Sequence, residues 1–130
     1  MKQFTLLPVA TYLKIFRIIV AIFLLIHGIT RMVHGTVGGF GDFLDSQGFP
    51  LGTYLAWGIT LFEIIGAILL VLGYFVSWIS LVFALELTMG IILVHASNGW
   101  FVVGGGTGGM EYSVLLIASF LLIAATSRGL

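Results

Sequence analysis

Residues 13–33 read LKIFRIIVAIFLLIHGITRMV, and this stretch decides the fold class. At a rise of ~1.5 Å per residue, about 21 residues of helix cover ~32 Å, enough to cross a hydrocarbon core ~30 Å thick. Lys14 and Arg17 precede the apolar part, as they would in a secretory leader. The apolar part runs into His27-Gly28-Ile29-Thr30-Arg31, which contains no small-x-small cleavage site, so the stretch reads as a retained membrane span.

Outward from this stretch the pattern repeats. Further apolar runs extend from Tyr54 to Leu72, from Trp78 to His95 and from Glu111 to Ala125. Over all 130 residues the chain is 60% hydrophobic and only 8% charged. A soluble domain keeps roughly a quarter of its residues charged, so this chain lacks the polar residues to cover its own exterior, and lipid must be its solvent. Zero formal net charge gives no basis for a nucleic-acid partner. The absence of cysteine excludes disulfides, thiolate metal sites and a thiol relay within the chain.

The expectation is a single all-α membrane domain over residues 1–130, an antiparallel four-helix bundle with connections at 34–53 and 96–110. Gly73 ends the second span and Ser77 is placed to N-cap the third, which makes those two spans a tight hairpin. The first connection holds six glycines with Asp42, Asp45 and Pro50, and its Phe40, Phe43, Leu44 and Phe49 suggest a segment lying at the membrane interface. Lys2, Lys14, Arg17 and Arg128 fall on the side of the two termini, against Arg31 on the other. By the retention of positive charge in the cytoplasm, both ends are expected there, in a multi-pass protein of the cytoplasmic membrane.

A charge near the centre of a span costs at least about 2.5 kcal/mol and needs a partner or a purpose. Glu63 and Glu86 lie near the middle of their spans, Arg17 near one end of its span and His27 and Arg31 toward the other. Arg17 and Arg31 fall on one face of the first span, and Glu63 is expected to pair across helices with one of them: with Arg17 in a structural ion pair while Arg31 points outward, or with Arg31. His27, Arg31 and His34 share a helix face, and His27, His95 and Glu111 fall at similar depth in three different spans, where they could converge on one polar pocket. No two histidines stand four apart on one helix, which argues against a metal site. Glu86 could carry a proton or face a second copy of the chain, and its role stays open. Gly104 to Gly109 formally matches G-x-G-x-x-G, but it precedes a membrane span rather than a nucleotide-binding helix. Its glycines instead suit a tight loop that brings Trp100 and Phe101 over the mouth of the bundle, or a merely flexible connection.

Arg17, His27-Gly28, Arg31, Gly48-Phe49-Pro50, Glu63 with Gly66, His95 with Gly99 and Phe101, and Gly109 with Glu111-Tyr112 occur in an order that resembles the DoxX family of small four-helix membrane proteins. Ala67 and Glu86 depart from that pattern. Some members of the family are membrane subunits of a thiosulfate:quinone oxidoreductase, and others associate with a superoxide dismutase and a sulfurtransferase. The resemblance therefore implies redox work at a membrane, with a soluble or membrane oxidoreductase partner. It implies that His27, Arg31, Glu63, His95, Glu111 and Tyr112 line a pocket for a quinone or similar small ligand. No catalytic residue is assigned. The alternatives are a non-catalytic scaffold or assembly factor, a homo-oligomer among its forms, and a small proton-coupled transporter using Glu63 and Glu86.

Overall fold

A computed structural model describes residues 6–127, and among the described residues every regular element is helical. The elements are α1 (Val9–Val33), α2 (Val37–Ser46), α3 (Gly52–Leu72), α4 (Val76–Gly90) and α5 (Glu111–Thr126). A π-helical turn, Ile91–His95, and a 3₁₀ turn, Ala96–Asn98, prolong α4. Three helical runs are long and apolar enough to cross a membrane, Val9–Val33, Gly52–Leu72 and Val76–Asn98, while α5 is a shorter apolar helix. Of the four basic residues used to orient the chain, Lys2 and Arg128 lie outside the described residues.

Local signals place the ends of α3. Gly73 adopts φ +88°, and its N–H bonds to the carbonyls of Leu69 and Leu70 while that of Tyr74 returns to Leu69. This αL ending satisfies the last carbonyls of α3 at a conformation that costs an L-residue about 1–2 kcal/mol. At the other end, the Asp45 carboxylate accepts the N–H of Gly52 at 2.8 Å, so α2 supplies the cap that α3 lacks. The interfacial segment foreseen in the first connection is thus a helix, tied to the start of α3.

Two expectations about ends are corrected. Ser77 is not the cap of α4, because Phe75 holds that position, and the Ser77 hydroxyl instead donates to the carbonyls of Ala124 and Ser127 at 3.2 and 3.5 Å. The last carbonyls of α5 have no partners within their own helix, so a neighbouring hydroxyl is better used there. α1 begins four residues before the expected span, at Val9, because Pro8 is tolerated just outside a helix start.

α1 packs antiparallel along α3 and α4 along α5, with α2 laid against α3, while α3 and α4 meet little beyond their hairpin. Val20, Ala21, Leu24 and Gly28 form the buried stripe of α1 at helical spacing. At Gly28 a Cβ would lie 2.8 Å from the Ile64 side chain and 3.2 Å from Glu63 Cβ, so its absence lets α1 and α3 approach closely. A cluster around Phe83 and Phe120, whose rings stand 5.3 Å apart, fills the half of the bundle nearest the hairpin and termini. Toward the opposite end, α3 stays with α1 and α2, and α4 stays with α5. The space between those two groups is where the polar residues face.

Candidate functional site

Antiparallel packing sets Arg31 level with Thr60 and Glu63. Arg31 Nη1 donates to Glu63 Oε2 at 2.8 Å and to Thr60 Oγ1 at 3.1 Å, with Nη2 at 3.5 Å from Glu63 Oε1. Thr60 Oγ1 passes its own proton to the Ala56 carbonyl at 2.7 Å, which leaves its lone pairs for the guanidinium. Above the group, Arg31 Cζ sits 4.7 Å from the centroid of Phe40 on α2. Glu63 is only 4% exposed. In a low-dielectric surrounding such a carboxylate is tolerable only with a cation and hydrogen bonds of this kind.

Of the two expected pairings of Glu63, this arrangement corrects the one with Arg17. The Arg17 guanidinium lies over Gly73, where a Cβ would be 3.3 Å from Nη2. Gly73 is ten residues from Glu63, about 15 Å along the helix axis, beyond the reach of an arginine that has already extended toward the hairpin. There it faces the C-terminal end of α3, where the helix dipole favours a cation.

Beside the ion pair is a cavity of about 1140 Å³ between α3 and α4, walled largely by apolar residues, among them Phe43, Phe49 and Phe62. It reaches the surface where Tyr54, Leu55, Val82 and Leu85 line it and also lie exposed. His27, Arg31, Glu63, Glu86, His95, Tyr112 and Ser113 contribute the polar part of the wall, with Tyr54 at the opening. The ring of His27 stands 6.3 Å from that of Tyr112, which links α1 to the start of α5.

His95 Nδ1 is 2.8 Å from the Gly108 carbonyl, which can only accept, so Nδ1 carries a proton and Nε2 is the remaining ring nitrogen. The π-helical turn Ile91–His95 widens the end of α4 at the level where His95 joins the cavity wall.

Glu111 does not line the cavity. Its Oε1 accepts the N–H groups of Val102 and Val103 at 2.5 and 2.9 Å, so it ties down the glycine-rich loop at the start of α5. The loop is further held by bonds from Thr107 and Gly109 N–H to the Phe101 carbonyl and from Glu111 N–H to Trp100, and by the Thr107 hydroxyl donating to Asn98. It is therefore an ordered cover rather than a free connection. The residues it sends to the cavity are Val102, Gly108 and Gly109, not Trp100 and Phe101, which are exposed.

Glu86 is the residue that sequence reasoning left unplaced. It lines the same cavity as Glu63 and Arg31. Its depth, matched to Glu63 in a neighbouring span, was the signal available. Among the described residues, no three His, Cys, Asp or Glu side chains gather as metal ligands.

The DoxX family model matches residues 12–96, about two thirds of the chain. The chain belongs to the DoxX family. The match runs from the start of α1 through His95 and so takes in Arg31, Glu63 and most of the cavity, whereas the glycine-rich loop and α5 lie beyond it. No curated protein and no solved structure matches the chain. Membership in DoxX, with three long apolar helices, makes this a membrane protein.

Proposed function

We propose that this DoxX protein is an accessory membrane subunit of a redox system, and that it binds a quinone-like lipid in the cavity between α3 and α4. In this reading it crosses the cytoplasmic membrane four times with both termini inside. α5 supplies the fourth crossing, since its 16 residues cover about 24 Å and the docked loop extends it.

The observation that carries the proposal is the composition of the cavity: apolar and aromatic over most of its wall, open sideways, with a cluster of hydrogen-bonding groups at one level. Lipid-soluble ligands with a flat polar head and a long tail suit such a site, because the tail leaves through the lateral opening while the head meets donors. Arg31 and His27 are placed to donate to head-group oxygens, and the Tyr112 hydroxyl stands at the same wall. A bound quinone would supply two-electron redox capacity, which a partner oxidoreductase would use. The chain's own residues would bind the head group, orient it and shield it from water beneath the loop. A scaffold held together by a buried ion pair accounts for Arg31 and Glu63, but not for Glu86, His27 and His95 on the wall of one apolar cavity.

Titration of the protein in lipid nanodiscs with a short-chain quinone analogue tests this. Wild type should bind saturably. His27→Ala should lose roughly 0.5 to 1.5 kcal/mol of binding, the worth of one ordinary hydrogen bond. Leu85→Trp should block entry, since Leu85 is 63% exposed at the opening and its replacement faces lipid without disturbing the core. Equal uptake by all three proteins would mean simple partition into the bilayer and would end the proposal.

A further inference from the structure

A second, smaller cavity of about 360 Å³ is walled by Ile26, His27, Thr30, Arg31 and Thr36. His27 and Arg31 line both cavities, whereas Ile26, Thr30 and Thr36 line only the small one. Those two shared side chains are therefore the partition between the spaces. The large cavity is walled mostly by hydrocarbon side chains, while every residue around the small one except Ile26 carries a hydrogen-bonding side chain. The small cavity also sits at the end of α1, where Thr30 is close to the last helical residue, Val33, and Thr36 holds the cap position of α2. Thr30, Thr36 and His27 are all exposed there. A space of this size with hydroxyls and a ring on its wall has room and partners for several waters.

The two partition residues differ in freedom. Arg31 is held by Glu63, Thr60 and the face of Phe40. The His27 ring lies 6.3 Å from that of Tyr112 and, unlike His95 with its bond to Gly108, has no hydrogen-bond partner among the described residues. The other titratable groups on these walls are Arg31 on α1, Tyr54 and Glu63 on α3, Glu86 on α4, His95 after it and Tyr112 on α5. Of these only Arg31 also touches the small cavity, and a guanidinium does not release its proton in a protein.

We propose that the small cavity is an aqueous entrance to the ligand site, and that His27 passes protons between its water and the head group in the large cavity. One ring nitrogen takes the proton of a head-group hydroxyl while the other releases its own to water. The hydroxyl oxygen keeps the bonding electron pair, one proton reaches water, and the ring is left neutral in its other tautomer. The relay rests on the quinone-like ligand proposed above, whereas the entrance does not.

Thiol labelling in lipid nanodiscs, where both faces meet water, tests the entrance without any ligand. The probe is a quaternary-ammonium methanethiosulfonate, whose fixed charge keeps it out of hydrocarbon. His27→Cys should react with it. Thr30→Trp, which fills the small cavity alone, should slow that reaction at least tenfold, and Leu85→Trp, at the lateral opening, should leave it unchanged. Circular dichroism melting establishes that each variant is folded when labelled. A His27→Cys thiol that stays inert, that Thr30→Trp does not slow, or that Leu85→Trp slows as much, overturns the entrance. The relay is then read from the oxidation of a bound short-chain quinol by a membrane-soluble ferrocenium, which takes the electrons while the hydroxyl protons leave. His27→Gln and Thr30→Trp should each slow that oxidation about tenfold, with the affinity of Thr30→Trp for the quinol unchanged. Undiminished rates would overturn the relay. Absence of saturable quinol binding in wild type, with labelling as described, would remove the ligand and its relay and leave the entrance standing.

Discussion

At the scale of single residues, the ion pair between Arg31 and Glu63 is the interaction on which the site depends. Arg31 reaches Glu63, Thr60 and the face of Phe40 at once, so it joins α1, α3 and α2 through one side chain. Removing one member leaves a buried charge without its partner, at a cost of about 3–5 kcal/mol. A double-mutant cycle of Arg31→Ala with Glu63→Gln, followed by denaturation in detergent, should therefore be strongly non-additive. Arg17→Ala with Glu63→Gln should add within about 0.5 kcal/mol, as expected of groups with no shared partner. Coupling of Glu63 to Arg17 and none to Arg31 would contradict the geometry. Depth along the helices made Glu63 legible as the central acid. Choosing between two arginines on one helix face required the register of α1 against α3, which Gly28 sets by permitting close approach beside Glu63 and Ile64.

At the scale of elements, the glycine-rich loop is held by a side chain that reads in sequence as a ligand. Glu111 opens α5, and its carboxylate takes two loop N–H groups that have no other acceptor among the described residues. The two bonds hold the Glu111 carboxyl below the usual carboxylate range, and a neutral amide acceptor would make them weaker. Glu111→Gln should raise amide hydrogen exchange at Val102 and Val103 by roughly tenfold, with the amides of α3 and α4 unchanged. Unchanged exchange in the loop would show that its backbone bonds hold it alone. The first connection shows the same logic in α2, whose apolar positions were visible in sequence as an interfacial segment. That its Asp45 would cap α3 was not visible, because the cap joins residues seven apart across a turn whose path only the fold defines.

At the scale of the whole molecule, the bundle is two groups of helices joined firmly at one end. The Gly73 turn and the aromatic contacts from Phe62 through Phe83 to Phe120 hold that end closed, and the separation of α3 from α4 beyond them makes the cavity. The proposed orientation puts α2 and the glycine-rich loop on the outer face. Since the natural chain has no cysteine, single thiols report on it cleanly. Gln47→Cys and Val103→Cys should react with a membrane-impermeant reagent on intact cells, and Leu6→Cys only after permeabilisation. The reverse pattern would invert the topology.

What the sequence determined by itself was the solvent and the class of structure. Long apolar runs broken by glycine and carrying few charges leave helices in lipid as the economical way to satisfy the backbone. It also determined which residues were costly enough to require an explanation, since a charge in mid-span is conspicuous without any coordinates. What only the tertiary structure decided was who meets whom: Arg31 rather than Arg17 beside Glu63, Glu111 on the loop rather than in the cavity, and Glu86 on the wall of the cavity that Glu63 lines. Spacing along one helix fixes the face a residue shares with its neighbours. The vertical register and rotation of one helix against another are set by packing at positions such as Gly28, and a shift of a single turn would exchange every one of these partners.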